Sequence, residues 1–469
     1  MTLRKSATVV ADNGASTIKA GVMGVHDANS RVITNAIVRS KGDKTTYIGH
    51  ELGNCRDYSS LHYRRPFEKG YIVDWDAEKA IWDGMFSNDC LEVDTSESNL
   101  LITEPYFNLP NIQEVYDQFV FEEYEFQSYY RCTPASLLPY SEIFNSVNST
   151  SPECLLVIDS GFSFTHIVPI LNGAVVWKAV KRLDVGGKLL TNQLKELASF
   201  RQWNMMDETH IINDIKESCC YVATDLKKDM ETTRTDPKRN PIVQEYILPD
   251  FSINRSGRIR QAGEALPEAA QVMYMNNERF TVPEIIFRPD DIGLEQLGVA
   301  SAVASSVALL PEDLQGMFWA HIGLIGGNAK FPGFCERLHN ELRSLAPNDC
   351  EVSIYLSNEP LIISSPILEA YRSAVAFART PEFAQRVVTR EEYLEMGSNA
   401  CRRKFADWKP IDKDATKGRD QTRARGTTRT REGTTRTREE LDETDSPPPP
   451  KKGAGGKTRT RTSISRRQA

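Results

Sequence analysis

Ala7-Thr-Val-Val-Ala-Asp-Asn-Gly-Ala-Ser-Thr-Ile-Lys-Ala-Gly21 sets a β-branched apolar run against a polar turn and a second apolar run. Ala7–Ala11 predicts a buried strand, Asp12-Asn13-Gly14 closes it, and Thr17–Gly21 predicts the returning strand. The design recurs at Leu155-Leu-Val-Ile158, which runs into Asp159-Ser160-Gly161 and resumes at Thr165-His-Ile-Val168. One Asp-x-Gly hairpin says little. Two, each at the end of a buried strand, predict two related halves.

These turns have the chemistry of a phosphate cradle. Such a site needs backbone N–H groups aimed inward, a cation, and carboxylates for a hydrated metal. The first hairpin supplies Asp12, Asn13, Gly14, Ser16 and Lys19, and the second supplies Asp159 and Gly161. A third segment, Ile322-Gly-Leu-Ile325, predicts a short buried strand. It ends in Gly326-Gly327, which lets backbone approach closely at a helix N-terminus, with Lys330 beside it. Pro332 opens the next helix, with Phe334, Leu338 and Leu342 on one face. Between Asp207 and Met230, Ile211, Ile215, Cys219, Val222 and Leu226 recur at helical spacing and predict one helix.

Composition narrows the class. The 469 residues are 40% hydrophobic and 26% charged, as in a soluble protein with a sizeable core. The net charge of −7 makes no global case for nucleic-acid binding, but its distribution is uneven. Ile411–Ala469 holds 16 Lys/Arg against 9 Asp/Glu, so a basic tail follows an acidic body. Nine scattered cysteines without a Cys-x-x-Cys pair suit a reducing compartment and argue against a structural zinc site. The first residues lack the apolar run of a signal peptide, and no stretch reaches the ~20 apolar residues of a membrane helix. After Trp408 apolar periodicity stops. Repeats of Thr-Thr-Arg-Thr-Arg, four prolines at Pro447–Pro450 and a basic Gly/Ser/Thr-rich end predict a disordered low-complexity tail over 409–469. It is either idle or an arm for nuclear import or DNA contact, since Arg and Lys neutralise phosphates.

In this order the motifs resemble actin over residues 7–378. Asp12–Gly21 and Asp159–His166 are similar to its two phosphate loops. Lys216-Glu217 with Cys220-Tyr-Val-Ala223, Asn277-Glu-Arg-Phe280 with Pro283-Glu284, and Gly326-Gly327 with Phe331-Pro-Gly333 follow in sequence. The resemblance implies an α/β, actin-like bilobal fold over 1–408, with a duplicated sheet-plus-helices core around a nucleotide cleft. It adds Gly187, Lys216 and Glu217 to the candidate cofactor contacts. Tyr63–Tyr71, Thr103–Asn108, Asp184–Thr191, Met206–His210 and Val388–Tyr393 resemble the nuclear actin-related proteins that serve in SWR-type remodelling complexes. That class implies a structural role in exchanging a core histone for its Z-type variant. The implied partners are a Swi/Snf-family ATPase, a zinc-finger HIT-domain subunit, and histones or the nucleosome. The implied location is the nucleus, and also the cytoplasm.

Three departures fall on the chemistry. Ala15 stands where actin has a phosphate-contacting Ser, Phe162 where it has a metal-holding Asp, and Thr133 or a neighbour where it has a water-positioning Gln. Phosphoryl transfer needs a held metal and an oriented water. The expectation is therefore ATP or ADP bound without turnover, no catalytic residue and no metal ligand. The loop Val38–Tyr47 is shorter than actin's filament-contacting loop, and Ala370-Tyr-Arg-Ser-Ala374 replaces a Trp-x-Gly-Gly-Ser signature, so no filament is expected. A slow nucleotide-switched ATPase and a cytoplasmic cytoskeletal protein are the alternatives. His166 and His210 read as packing residues. The aromatic residues Phe119, Phe121, Tyr124, Phe126, Tyr129 and Tyr130 read as helix core, with Glu122–Glu125 as an acidic side open to basic partners.

Overall fold

The first hairpin forms as expected: strands Thr8–Asn13 and Thr17–Met23 pair antiparallel, with Asp12 opposite Lys19. The second repeats it, with Cys154–Ser160 antiparallel to Thr165–Leu171 and Asp159 opposite His166. The computed structural model describes residues 7–23, 30–144, 152–236, 239–251, 254–266, 270–357 and 365–405. All belong to one compact unit, Met1–Lys409. The tail expected over 409–469 lies outside the described residues.

Each hairpin nucleates a six-stranded sheet, and the two sheets share one plan. In the first, Thr8–Asn13 runs parallel to Asn99–Thr103, which runs parallel to Ser128–Cys132; Arg31–Thr34 extends the hairpin side. In the second, Cys154–Ser160 runs parallel to Ile322–Ile325, which runs parallel to Ile354–Tyr355; Lys181–Leu183 and Ala174–Val175 extend the hairpin side. Fully buried apolar strands such as Leu155–Ile158 are what a parallel sheet covered on both faces requires. This is the duplication the two Asp-x-Gly turns predict. Each sheet carries its own apolar core, one around Trp82, Tyr116 and Phe121, the other around Ile212, Phe318 and Phe334. Each large side chain buried this way contributes about 1.5–3 kcal/mol.

Two expectations are corrected. The single helix over 207–230 is two, Thr209–Cys219 and Leu226–Thr235. Between them the chain pairs elsewhere: Tyr221 N–H donates to Arg279 O at 2.9 Å and Val222 N–H to Pro332 O at 2.8 Å. Asp225 then caps the second helix by accepting from Lys228 N–H. Val222 is buried, but from this extended linker, so its helical spacing misleads.

The aromatic run is core, but it is not one helix. Phe119–Glu123 is a π-helical turn and Ser128–Cys132 a strand. Its acidic side is exposed as expected, though each glutamate there already has a partner within the chain. Glu122 accepts from Tyr393 Oη at 2.6 Å, Glu125 pairs with Arg390 at 2.8 Å, and Glu123 pairs with Lys79 at 3.0 Å. The first two partners come from the C-terminal helices, which also bring Val388–Thr389 to the sheet edge at Ser128–Tyr129 and Phe405 against Tyr129 and Tyr130. Val38–Tyr47 forms a tight hairpin between Ile37–Ser40 and Thr46–Ile48. No helix among the described residues is long and apolar enough to cross a membrane.

Candidate functional site

The carboxyl ends of the two hairpin strands face a cavity of about 980 Å³. Strand carboxyl ends are where open α/β sheets expose backbone and turn side chains to ligands. All thirteen residues singled out from the sequence line it: Asp12, Asn13, Gly14, Ser16, Lys19, Asp159, Gly161, Gly187, Lys216, Glu217, Gly326, Gly327 and Lys330.

The first turn is braced from the neighbouring parallel strand. Thr103 Oγ1 donates to Asp12 Oδ1 at 2.7 Å and accepts from Asn13 N–H at 3.0 Å. Lys19 Nζ lies 3.3 Å from Asp12 Oδ2, a cross-strand pair set by register. Beneath it, Asn13 Nδ2 donates to Glu78 Oε1 at 2.7 Å and to Tyr116 Oη at 3.1 Å, and Trp82 Nε1 donates to the same Glu78 oxygen at 3.0 Å. Burial outweighs these donors and pushes Glu78 up to about 7. Its Oε2 is buried without a partner, as is Asn35 Oδ1.

Asp159 accepts from Tyr106 Oη at 2.9 Å, and that hydroxyl accepts from Ala135 N–H at 3.1 Å. Burial, with Asp12 nearby, raises Asp159 to about 6. His166 packs against Tyr106 at 4.3 Å between ring centroids, and burial, then Arg182, lowers it to about 3. It is a neutral packing residue.

Several expected ligand donors are committed to the protein. Gly14 N–H donates to Asp12 O and Gly161 N–H to Phe164 O. Gly187 N–H donates to Gly161 O at 3.0 Å and Lys188 N–H to Phe162 O at 2.9 Å, so this helix start is docked on the second loop. Lys216 is buried, and its Nζ donates to Thr191 Oγ1 and Asn213 Oδ1, both at 2.9 Å. It therefore joins two helices instead of presenting a free charge. Glu217 accepts from Asn213 Nδ2 at 2.7 Å. Gly326 has φ +96°, and a Cβ there would lie 2.3 Å from Ser160 O. Only glycine permits that approach. Asn328 Nδ2 then reaches Ser160 Oγ and Gly161 O, tying the third segment to the second loop.

One contributor was missed by reading the sequence. Arg65 lines the cavity with its guanidinium between two rings, 4.6 Å from the centroid of Tyr63 and 4.9 Å from that of Phe162. Its Nη1 is buried without a hydrogen-bond partner. The two rings are nearly a hundred residues apart in the chain, which is why local patterns do not reveal the stack.

Beside the cavity, two segments distant in the chain are bridged. Ser60 N–H and Oγ each donate to Glu208 at 2.9 Å, Tyr58 stacks on His210 at 4.5 Å, and Tyr63 Oη lies 3.2 Å from His210 Nδ1. His210 is thereby a packing and hydrogen-bonding residue.

The family described as Actin matches residues 3–406. The chain belongs to the actin family. It is 49% identical over 421 residues to Actin-like protein ARP6 of Cryptococcus neoformans var. neoformans, covering 85% of this chain and 84% of that one. It is 38% identical over 397 residues to Actin-related protein 6 of Drosophila melanogaster, covering 84% and 98%. It is 36% identical over 432 residues to Actin-related protein 6 of Oryza sativa subsp. indica, covering 85% and 99%. These relatives place the chain in the actin-related protein 6 branch.

The actin family as a whole binds nucleotide, and the cavity's size, its turns and Lys19 fit one. The accompanying divalent cation does not fit. Asp12 is already paired with Lys19, Asp159 is held by Tyr106, and the second loop carries Phe162 under a guanidinium. Among the described residues, no glutamine lines the cavity. Gln127 is instead anchored to Ser96 O.

Proposed function

We propose that this protein is a non-catalytic structural subunit of an SWR-type chromatin remodelling complex, its cleft holding ATP or ADP without turning it over. The observation that carries the reading is the second loop, where a carboxylate's place is taken by Phe162 packed against Arg65. An aromatic ring cannot orient metal-bound water, and among the described residues no glutamine lines the cavity to orient the attacking one. Each missing contribution of this kind costs about 1.4–4 kcal/mol of barrier. A ligand that binds only the folded state stabilises it by about 2.7 kcal/mol at a hundredfold excess over its Kd. Retention of the cleft without turnover follows from that.

The partners in this reading are the complex's Swi/Snf-family ATPase, a zinc-finger HIT-domain subunit, and histones or the nucleosome. The basic segment Thr422–Arg438 contacts DNA or an import receptor. The test is the composition of the complex co-purified with the tagged full chain from nuclear and cytoplasmic extracts. Recovery of the remodelling ATPase with the Z-type histone from nuclei is the expected result. Recovery of cytoskeletal proteins alone would overturn it.

A further inference from the structure

We propose that the cleft binds its polyphosphate ligand without a divalent cation, the guanidinium of Arg65 supplying the positive charge that a metal would bring beside the second loop. This rests on the reading of the cleft as a nucleotide site.

Arg65 is held rigidly. Arg64 on its N-terminal side forms a two-pronged ion pair with Asp74, Nε to Oδ2 at 2.6 Å and Nη2 to Oδ1 at 2.8 Å. Pro66 on its C-terminal side restricts the Arg65 backbone to extended conformations. Pro66 O in turn accepts from Val73 N–H at 2.9 Å and Asp74 N–H at 3.2 Å, closing the loop. The side chain then enters the cavity between Tyr63 and Phe162, where aromatic faces stabilise a planar cation.

Among the described residues no carboxylate pairs with Arg65. None of the described ion pairs involves it, its Nη1 is an orphaned donor, and burial lowers its pKa. A cation kept in a partly desolvated site without a carboxylate is costly unless an anion completes it. Polyphosphate supplies that anion, and arginine's fork suits phosphate oxygens. A hydrated dication at the same place would meet the guanidinium's repulsion and no carboxylate at position 162. Of the other cations on this side, Arg182 pairs with Asp184 at 3.2 Å and lies over Phe164, and Lys216 is bound to protein oxygens; Lys188 and Glu68 line the cavity as well.

The test is calorimetric titration of the full chain with ATP, ADP and pyrophosphate, in excess magnesium and again in EDTA. Affinities equal within about twofold in the two buffers are expected, where a metal-bridged site would lose orders of magnitude. Pyrophosphate binding as tightly as ATP would mark the ligand as polyphosphate in general, and preference for ATP or ADP would mark a nucleotide; both support metal-free binding. Arg65→Gln is expected to weaken binding about tenfold in both buffers. Phe162→Asp, which gives Arg65 a carboxylate, is expected to weaken binding in EDTA and to regain it with magnesium. This second variant keeps the test decisive if Arg65→Gln fails to fold. Binding that collapses in EDTA overturns the inference while leaving the nucleotide reading intact, as does an Arg65→Gln protein that folds and binds unchanged. No binding of any probe in either buffer overturns both.

Discussion

The Arg65 guanidinium lies 4.9 Å from the centroid of the Phe162 ring, so the first lobe covers the second phosphate loop with a cation. Phe164, two residues on, packs against Gly70 at the other end of the same segment, where a Cβ would lie 2.6 Å from the ring. The Phe162–Phe164 loop thus meets the Tyr63–Tyr71 segment through aromatic contacts, on the face where phosphoryl transfer would need carboxylate and water.

The bridge from Ser60 to Glu208, beside the cavity, should govern ligand exchange. Glu208→Ala removes two hydrogen bonds from Ser60 to a carboxylate, each worth about 1.5–3 kcal/mol at most and less where solvent competes. Dissociation of a fluorescent nucleotide, followed by stopped flow, should accelerate by about five- to thirtyfold with little change in Tm. An unchanged rate would mean that exchange takes another route.

Glu78 should make stability depend on pH. Its folded pKa of about 7 stands above the ordinary carboxylate value of 4.5, so the folded state binds more protons between them. Stability therefore falls as pH rises through that window and levels off above it. Asp159, raised to about 6, contributes in the same direction. Glu78→Gln keeps an acceptor for Asn13 and Trp82 and adds a donor for Asn35. Chemical denaturation should show the variant more stable at pH 8, by on the order of 2–3 kcal/mol, with a flatter profile. Equal or lower stability at pH 8 would remove Glu78 as the source.

Arg337 joins the helix Phe334–Leu345 to the rest of the second lobe. Buried, it donates to Glu284 Oε1 at 2.8 Å and Oε2 at 3.1 Å, to Ala223 O, and to Glu341. Arg337→Ala leaves Glu284 with only the more exposed Arg288, 3.5 Å away, and should cost about 2–4 kcal/mol. Urea melts of the two proteins give the difference directly, and a loss below about 1 kcal/mol would contradict the buried-pair account.

The hairpins were legible because Asp12-Asn13-Gly14 and Asp159-Ser160-Gly161 end apolar strands, a local signal with one physical meaning. The thirteen candidate residues follow from those turns and from the order of motifs, and they line one cavity. Which of them offer free groups was not legible. Gly187 N–H and Lys216 Nζ are taken by partners brought close only in the folded chain, and Arg65 depends on a ring at Phe162. The break in the helix over 207–230 has the same cause, since Pro332 O captures Val222 N–H from more than a hundred residues away.

The central claim is that nucleotide is held and not hydrolysed. Its most direct measurement is single-turnover hydrolysis of labelled ATP by the purified full chain, beside Lys19→Ala. The account predicts labelled ATP recovered intact from the wild-type protein over many hours, with weaker retention by the variant. Clear conversion to ADP and phosphate by the wild type, abolished in Lys19→Ala, would contradict it and make the cleft that of a switching ATPase.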